Sequence, residues 1–106
     1  MNRSTQIKAM GSEARMSIMR LLAEPQKNFA DQWSADPVEQ GVCMTLIADA
    51  MGVAQPTASR HLEILKQAGF ITVFKQHKWS YCKRNEAVIQ EYLEWLQKEL
   101  ASPNRI

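Results

Sequence analysis

The sequence predicts a mostly helical α+β fold with about five helices and one β-hairpin, formed by a single domain over residues 1–106. Two short helical segments are separated by a turn of three residues, which is the spacing of a helix-turn-helix. A stretch rich in β-branched and aromatic residues follows directly and predicts a hairpin. A helix-turn-helix with a hairpin, or wing, behind its second helix is a winged helix-turn-helix domain.

Length and composition are those of one small globular domain. The 106 residues are 45% hydrophobic and 23% charged. A domain this short buries a modest share of its surface, so a second copy would add stability and we expect a homodimer. No apolar run approaches the roughly 20 residues that cross a bilayer, and the N-terminus lacks a secretion signal. We therefore expect a cytoplasmic protein that does not engage a membrane.

The first part of the chain predicts two helices and a long loop. Ser4–Met10 favours a short helix, and Ser12 is positioned to cap a second, well-buried helix. Residues 26–41 are polar, contain a proline and a glycine, and show no period, which is typical of a loop. Its Phe29 and Trp33 have two interpretations: they cover an organic ligand, or they pin the loop onto the core.

The helix-turn-helix follows this loop. Thr45 is expected to cap a helix over Leu46–Met51, which Gly52 ends. The second helix spans about residues 55–68 and begins with Pro56, which is tolerated in a first helical turn because its missing amide would have had no partner there. Its inward-facing apolar stripe consists of Ala58, Leu62 and Leu65.

The wing covers about residues 70–83, and a last helix covers about residues 86–100. With Gln76 and His77 as the turn, the hairpin would pair Phe74 with Trp79, Thr72 with Tyr81, Val73 with Ser80 and Ile71 with Cys82. Since neither turn residue is Gly, Asn or Asp, the alternative is a longer turn with a shifted register. The last helix carries an apolar band too wide for one narrow contact, so we expect it to touch both its own core and a partner.

Positive charge is concentrated in the helix-turn-helix and wing. Residues 55–84 contain six basic residues against one acid, whereas residues 25–54 contain one basic residue against four acids. A basic block of this kind is typical of a surface that meets DNA, although a solvated surface without a partner would show the same count.

The outward positions of the second helix of the pair are the candidate DNA contacts, because this helix can enter the major groove. Gln55 can pair with an adenine edge, Arg60 with guanine or a phosphate, and Thr57 and Ser59 with either. His61 borders the apolar stripe, where packing or an internal hydrogen bond competes with a DNA contact.

Three basic residues surround the predicted wing tip: Lys75, His77 and Lys78. Cations there would neutralise phosphates and make DNA affinity fall with salt. The alternative is that lysines on an exposed edge strand simply prevent aggregation.

Three segments resemble the ArsR/SmtB-type winged-helix repressors: IKAMGSEAR from Ile7, QPTASRHLEILKQAGFI from Gln55 and KWSY from Lys78. The resemblance implies a homodimer joined mainly by its first and last helices. It also implies binding to an imperfect palindrome in double-stranded DNA, with release when an inducer binds. Its DNA-reading positions correspond here to Gln55, Thr57, Ser59, Arg60 and His61.

The sensing residues of that family are only partly present. Arsenic-sensing members carry Cys-Val-Cys where this chain has Cys43-Met44-Thr45, and zinc-sensing members use histidine on a last helix that here has none. These residues therefore assign neither of those two metal sites, nor a cofactor. If residues 42–44 form a strand beside the wing, Cys43 and Cys82 could oxidise together or share a thiophilic ion. Alternatively, both are small buried hydrophobes.

These observations predict a sequence-specific DNA-binding regulator, a repressor whose signal is thiol oxidation, a thiophilic ion or a small molecule. The alternative is a winged-helix module that binds a protein. Such a docking helix would expose aromatic or aliphatic anchors, and here only Pro56 and Ile64 are of that kind. An enzyme is not expected, because the chain has no phosphate-binding glycine loop and no nucleophile motif.

Overall fold

The computed structural model describes residues 2–103, which form six helices and a three-stranded antiparallel sheet. The elements in chain order are α1 (Arg3–Met10), α2 (Glu13–Ala23), α3 (Pro25–Asn28), β1 (Val42–Cys43), α4 (Met44–Met51), α5 (Gln55–Gln67), β2 (Ile71–Gln76), β3 (Trp79–Arg84) and α6 (Glu86–Leu100). Strand β3 lies between β1 and β2. The predicted winged helix-turn-helix fold class is confirmed.

Local signals place most helix ends. The Ser12 hydroxyl accepts a hydrogen bond from the backbone N–H of Arg15 at 3.2 Å, as expected of an N-cap. Gly52 ends α4 in the left-handed conformation, with φ of 68°. The predicted Thr45 cap is wrong, because α4 begins at Met44, two residues before the predicted start at Leu46, and has Cys43 at its N-cap. The predicted loop is also not wholly irregular, since α3 forms one helical turn behind Pro25.

The wing is present, but the predicted hairpin register is wrong by two residues. Observed pairs include Gln76 with Trp79, Phe74 with Tyr81 and Val73 with Cys82. The turn is His77-Lys78, and His77 adopts a φ of 57° that lets the chain reverse there. A shift of two residues leaves each side chain on its predicted face of the sheet.

The core lies where α2, α4 and α5 pack against the sheet. The predicted stripe of α5 is confirmed, since Ala58, Leu62 and Leu65 are all buried. The largest fully buried residues of the core include Ile18, Ile47, Leu65 and Phe70. Because this stripe faces inward, the opposite face of α5 is left on the surface.

A buried glutamine orders the segment between α3 and β1. The Gln32 amide nitrogen donates to the carbonyls of Ala35 at 2.8 Å and Gly41 at 3.0 Å, and its oxygen accepts from the N–H of Cys43 at 2.8 Å. These bonds satisfy backbone groups that would otherwise be buried without partners. The long loop is therefore a fixed part of the domain.

Polar contacts of Arg3 join the first and last helices. Its guanidinium pairs with the Glu91 carboxylate, lies 4.7 Å from the ring centre of Trp95, and donates to the Gln6 side chain at 2.9 Å. Gln6 is fully buried and donates to the carbonyl of Ala68, at the end of α5, at 3.3 Å.

No helix in residues 2–103 is both long and apolar enough to cross a membrane.

Candidate nucleic-acid interface

The first turns of α5 present a polar surface. Gln55, Thr57, Ser59 and Arg60 are all exposed, because the buried stripe of the helix holds the opposite face against the core. Their amide, hydroxyl and guanidinium groups are the donors and acceptors that read base edges. The four positions predicted from helical spacing therefore share one exposed surface.

His61 differs from these four residues. Its ring is half-buried, and its Nδ1 atom lies 3.2 Å from Nη1 of Arg15. Arg15 also donates to the carbonyls of Ala9 at 2.7 Å and Lys8 at 3.1 Å, at the end of α1. The structure thus favours an internal hydrogen bond of His61 over a DNA contact. Sequence analysis assigned Arg15 no role, because its partners lie on two other helices, α1 and α5.

The wing tip carries three exposed basic residues, Lys75, His77 and Lys78. The Lys78 ammonium lies 5.2 Å from the ring centre of Trp79, a cation–π contact. Within residues 2–103 the ion pairs are Arg3–Glu91 and Arg84–Glu86, so neither the wing lysines nor Arg60 are neutralised by a carboxylate. These cations are free to meet phosphates.

The two cysteines are free thiols, and both are buried. Val42 pairs with Cys82, and Cys43 pairs with Tyr81, so the cysteines are one position out of register on neighbouring strands. Side chains alternate between the faces of a sheet, and this register therefore directs the two thiols to opposite faces. Such a geometry does not suit a disulfide. The expected neighbour of Cys82 is also corrected, from Ile71 to Val73.

Burial raises the pKa of the Cys82 thiol to about 12, and the nearby Cys43 adds a smaller contribution in the same direction. Because the thiolate is the reactive form, this burial favours the packing interpretation of Cys82 over a thiol switch. In the described part of the chain, no group of three or more histidine, cysteine, aspartate or glutamate side chains is placed to hold a metal ion.

The two aromatic residues of the long loop do different things. Phe29 is buried in the core, which agrees with the interpretation that it pins the loop. Trp33 is 85% exposed and stands beside Trp79 of β3, with 6.2 Å between ring centres. Sequence analysis did not pair these tryptophans, since 46 residues separate them and no local pattern joins them.

Comparison with known proteins agrees with this architecture. Residues 39–73 match the model of the family described as "Bacterial regulatory protein, arsR family". The uncharacterized HTH-type transcriptional regulator YbzH of Bacillus subtilis (strain 168) is 37% identical over 93 residues, which cover 88% of this chain and 93% of that protein. The transcriptional repressor SdpR of the same organism is 34% identical over 50 residues, covering 47% of this chain and 56% of SdpR.

Solved structures share the fold at lower identity. A crystal structure of an ArsR family transcriptional regulator superimposes with a TM-score of 0.68 at 16% identity, over 91% of this chain and 84% of that one. The homodimeric winged helix-turn-helix DNA-binding domain of a possible ArsR-family regulator from Mycobacterium bovis gives 0.64 at 21% identity, over 97% and 84%. These structures show the shared fold. The match to the ArsR family model, together with the match to YbzH over nearly its full length, shows that the chain belongs to the ArsR family of helix-turn-helix transcriptional regulators.

Proposed function

We propose that the protein is a homodimeric repressor that acts in the cytoplasm, binds an imperfect palindrome in double-stranded DNA, and is released by a chemical signal. One observation carries this proposal: the exposed polar face of α5 and the unpaired cations of the wing tip belong to adjoining elements of one domain. The similarity of this chain to SdpR, a transcriptional repressor, supports repression rather than activation.

In this proposal α5 reads the major groove and the wing holds the DNA backbone. Gln55 and Arg60 make paired hydrogen bonds to base edges, and Thr57 and Ser59 add single ones. Lys75, His77 and Lys78 contact phosphates, which position the protein but carry little sequence information. A protein-docking role for α5 is less well supported, because its exposed surface lacks aromatic anchors.

Dimerisation is supported by apolar side chains left on the surface of the first and last helices. Ile7 of α1 is 49% exposed, and on α6 Leu93 is 50% and Leu100 is 76% exposed. An apolar cleft of about 390 Å³ lies between α2 and α6 and continues this surface. The homodimeric relative from Mycobacterium bovis has the same fold. A two-fold dimer presents two copies of α5, and these match the inverted halves of a palindrome.

Selection of genomic DNA fragments by the purified protein, followed by footprinting, tests the proposal. We expect the captured fragments to share an inverted repeat with half-site centres about 10 base pairs apart, or a multiple of that spacing. The matched control is the double variant Gln55→Ala/Arg60→Ala, which should sediment as a dimer and lose the repeat. Captured fragments without a common sequence would contradict the proposal, as would a monomeric protein at the concentrations that protect DNA.

A further inference from the structure

Trp33, which is exposed, and Trp79, which is half-buried, form an aromatic corner that DNA binding does not explain. Their ring planes are nearly perpendicular, at 86°, with 6.2 Å between centres. Trp33 is 85% exposed, so most of its apolar surface is left in water. Contiguous exposed apolar surface is one of the features that mark binding sites.

The position of Trp33 is fixed by its two neighbours in the chain. Gln32 is buried and makes three hydrogen bonds to the backbone around it. Ser34 accepts a hydrogen bond from the Tyr81 hydroxyl of β3 at 2.9 Å. The backbone on both sides of Trp33 is therefore anchored although its side chain is exposed. A site held in place before its ligand arrives binds with a smaller entropic cost.

The two indoles line a cleft of about 200 Å³, here called the Trp33–Trp79 cleft. Asp31, Ser34 and Thr45 contribute polar groups to its wall. This volume is below the range of about 300–1,000 Å³ that is usual for drug-sized ligands. The ligand must therefore be small.

Charge selects the class of ligand. The face of an indole ring is electron-rich and attracts cations, as the Lys78 ammonium 5.2 Å from the centre of Trp79 illustrates. The Asp31 carboxylate is exposed and takes part in neither ion pair of residues 2–103, so no lysine or arginine there is paired with it. Both features favour a cation, and Asp31 disfavours a DNA phosphate or any other anion.

We propose that the Trp33–Trp79 cleft binds a small organic cation of the alkylammonium class, with its alkyl groups against the two indoles and its charge facing Asp31. Quaternary ammonium groups suit such corners because their charge is spread over an apolar surface. The proposal concerns binding at the cleft alone. It holds or fails independently of whether α5 reads DNA.

Titration of the full-length protein with choline, followed by the indole N–H signals in an NMR spectrum, tests the site. The three tryptophans give separate probes, and we expect saturable shifts of Trp33 and Trp79 with Trp95 unchanged. The neutral isostere 3,3-dimethylbutan-1-ol has the same shape without the charge and should bind about tenfold more weakly. Trp33→Ala should weaken choline binding to a similar degree without unfolding the protein, because the side chain is exposed.

Two matched variants separate the carboxylate of the cleft from general surface charge. Asp31→Asn should weaken choline binding several-fold, and Asp49→Asn, which removes another exposed acid that does not line the cleft, should not. Equal binding of choline and its neutral isostere would overturn the proposal. It would also be overturned if choline fails to shift Trp33 while Trp33→Ala weakens binding to DNA, since the corner would then be a DNA contact.

Discussion

Nη1 of Arg15 lies 3.2 Å from Nδ1 of His61, and this contact joins α2 to the helix proposed to read DNA. A guanidinium can only donate, so Nδ1 of His61 accepts and the ring carries its proton on Nε2. The other N–H groups of Arg15 bond carbonyls at the end of α1. Arg15 therefore fixes the position of α5 relative to α1 and α2.

His61→Ala should lower the free energy of unfolding by about 1 kcal/mol, because a half-buried hydrogen bond is lost. It should weaken binding to operator and random DNA by similar factors, since the helix loses a support and no base contact. Urea denaturation and gel-shift titration measure the two effects. Ser59→Ala is the control, with unchanged stability and a loss confined to the operator. A stable His61→Ala protein that fails only on its operator would show that His61 reads a base.

Replacing Arg60 and replacing Lys78 should weaken DNA binding in different ways. Arg60→Ala is expected to weaken operator binding by about 1–3 kcal/mol and to affect random DNA much less, because it removes a base contact. Lys78→Ala should weaken both and reduce the slope of log K against log salt by about one, because it removes a phosphate contact. Gel shifts over a range of salt concentrations separate the two. Indistinguishable losses on both kinds of DNA would contradict this division of roles.

Cys82 makes stability depend on pH in the alkaline range. Its pKa is raised to about 12 in the folded protein by burial, whereas the unfolded thiol ionises near 9. Below pH 9 the thiol is neutral in both the folded and the unfolded protein, so its contribution to the free energy of unfolding is fully present. Between pH 9 and 12 only the unfolded state loses the proton, and the free energy of unfolding should fall by up to about 1.4 kcal/mol per pH unit.

Denaturation of the wild type and Cys82→Ala at pH 8, 9, 10 and 11 measures this contribution. Other titrating groups are common to both proteins, so the difference between the two curves isolates Cys82. The wild-type curve should fall more steeply above pH 9. Parallel curves over the whole range would show that the thiol ionises equally in both states.

Gly41 and Gly52 both have positive φ, of 105° and 68°, but differ in their surroundings. A Cβ at Gly41 would lie 2.8 Å from the carbonyl oxygen of Cys82, whereas one at Gly52 would meet nothing within 4 Å. Gly52→Ala should cost about 1–2 kcal/mol from backbone strain alone. Gly41→Ala should cost more than about 3 kcal/mol, since a backbone clash in the sheet is added. Equal melting temperatures for the two variants would contradict this reading.

Sequence patterns located the helix-turn-helix because its signals are local. The proline in the first turn, the apolar stripe and the glycine stop specify α4 and α5 within about 20 residues, and the exposed face follows from the helical period. Local signals of this kind do not determine the register of the two wing strands. Neither His77 nor Lys78 is a typical turn residue, and a shift of two positions preserves the alternation on which the pairing was based.

Long-range polar contacts were missed for a different reason. Gln32 and Gln6 are polar residues that fold into the core because backbone groups distant in sequence need partners there. Trp33 meets Trp79 only once the loop is anchored to β3. Chemistry of this kind depends on tertiary packing, which neither composition nor periodicity encodes.

We expect the contacts of Arg3 to couple the detachment of α6 to loosening at the end of α5. Tyr92 is the buried residue of α6 in the part of the chain described, and the other apolar side chains that pack against the core from this helix stay partly exposed. Arg3 binds Glu91 and Gln6, and Gln6 binds the carbonyl of Ala68. Detaching α6 therefore also loosens the last turn of α5. Amide protons of these two segments, far apart in sequence, should exchange with solvent as one cooperative unit.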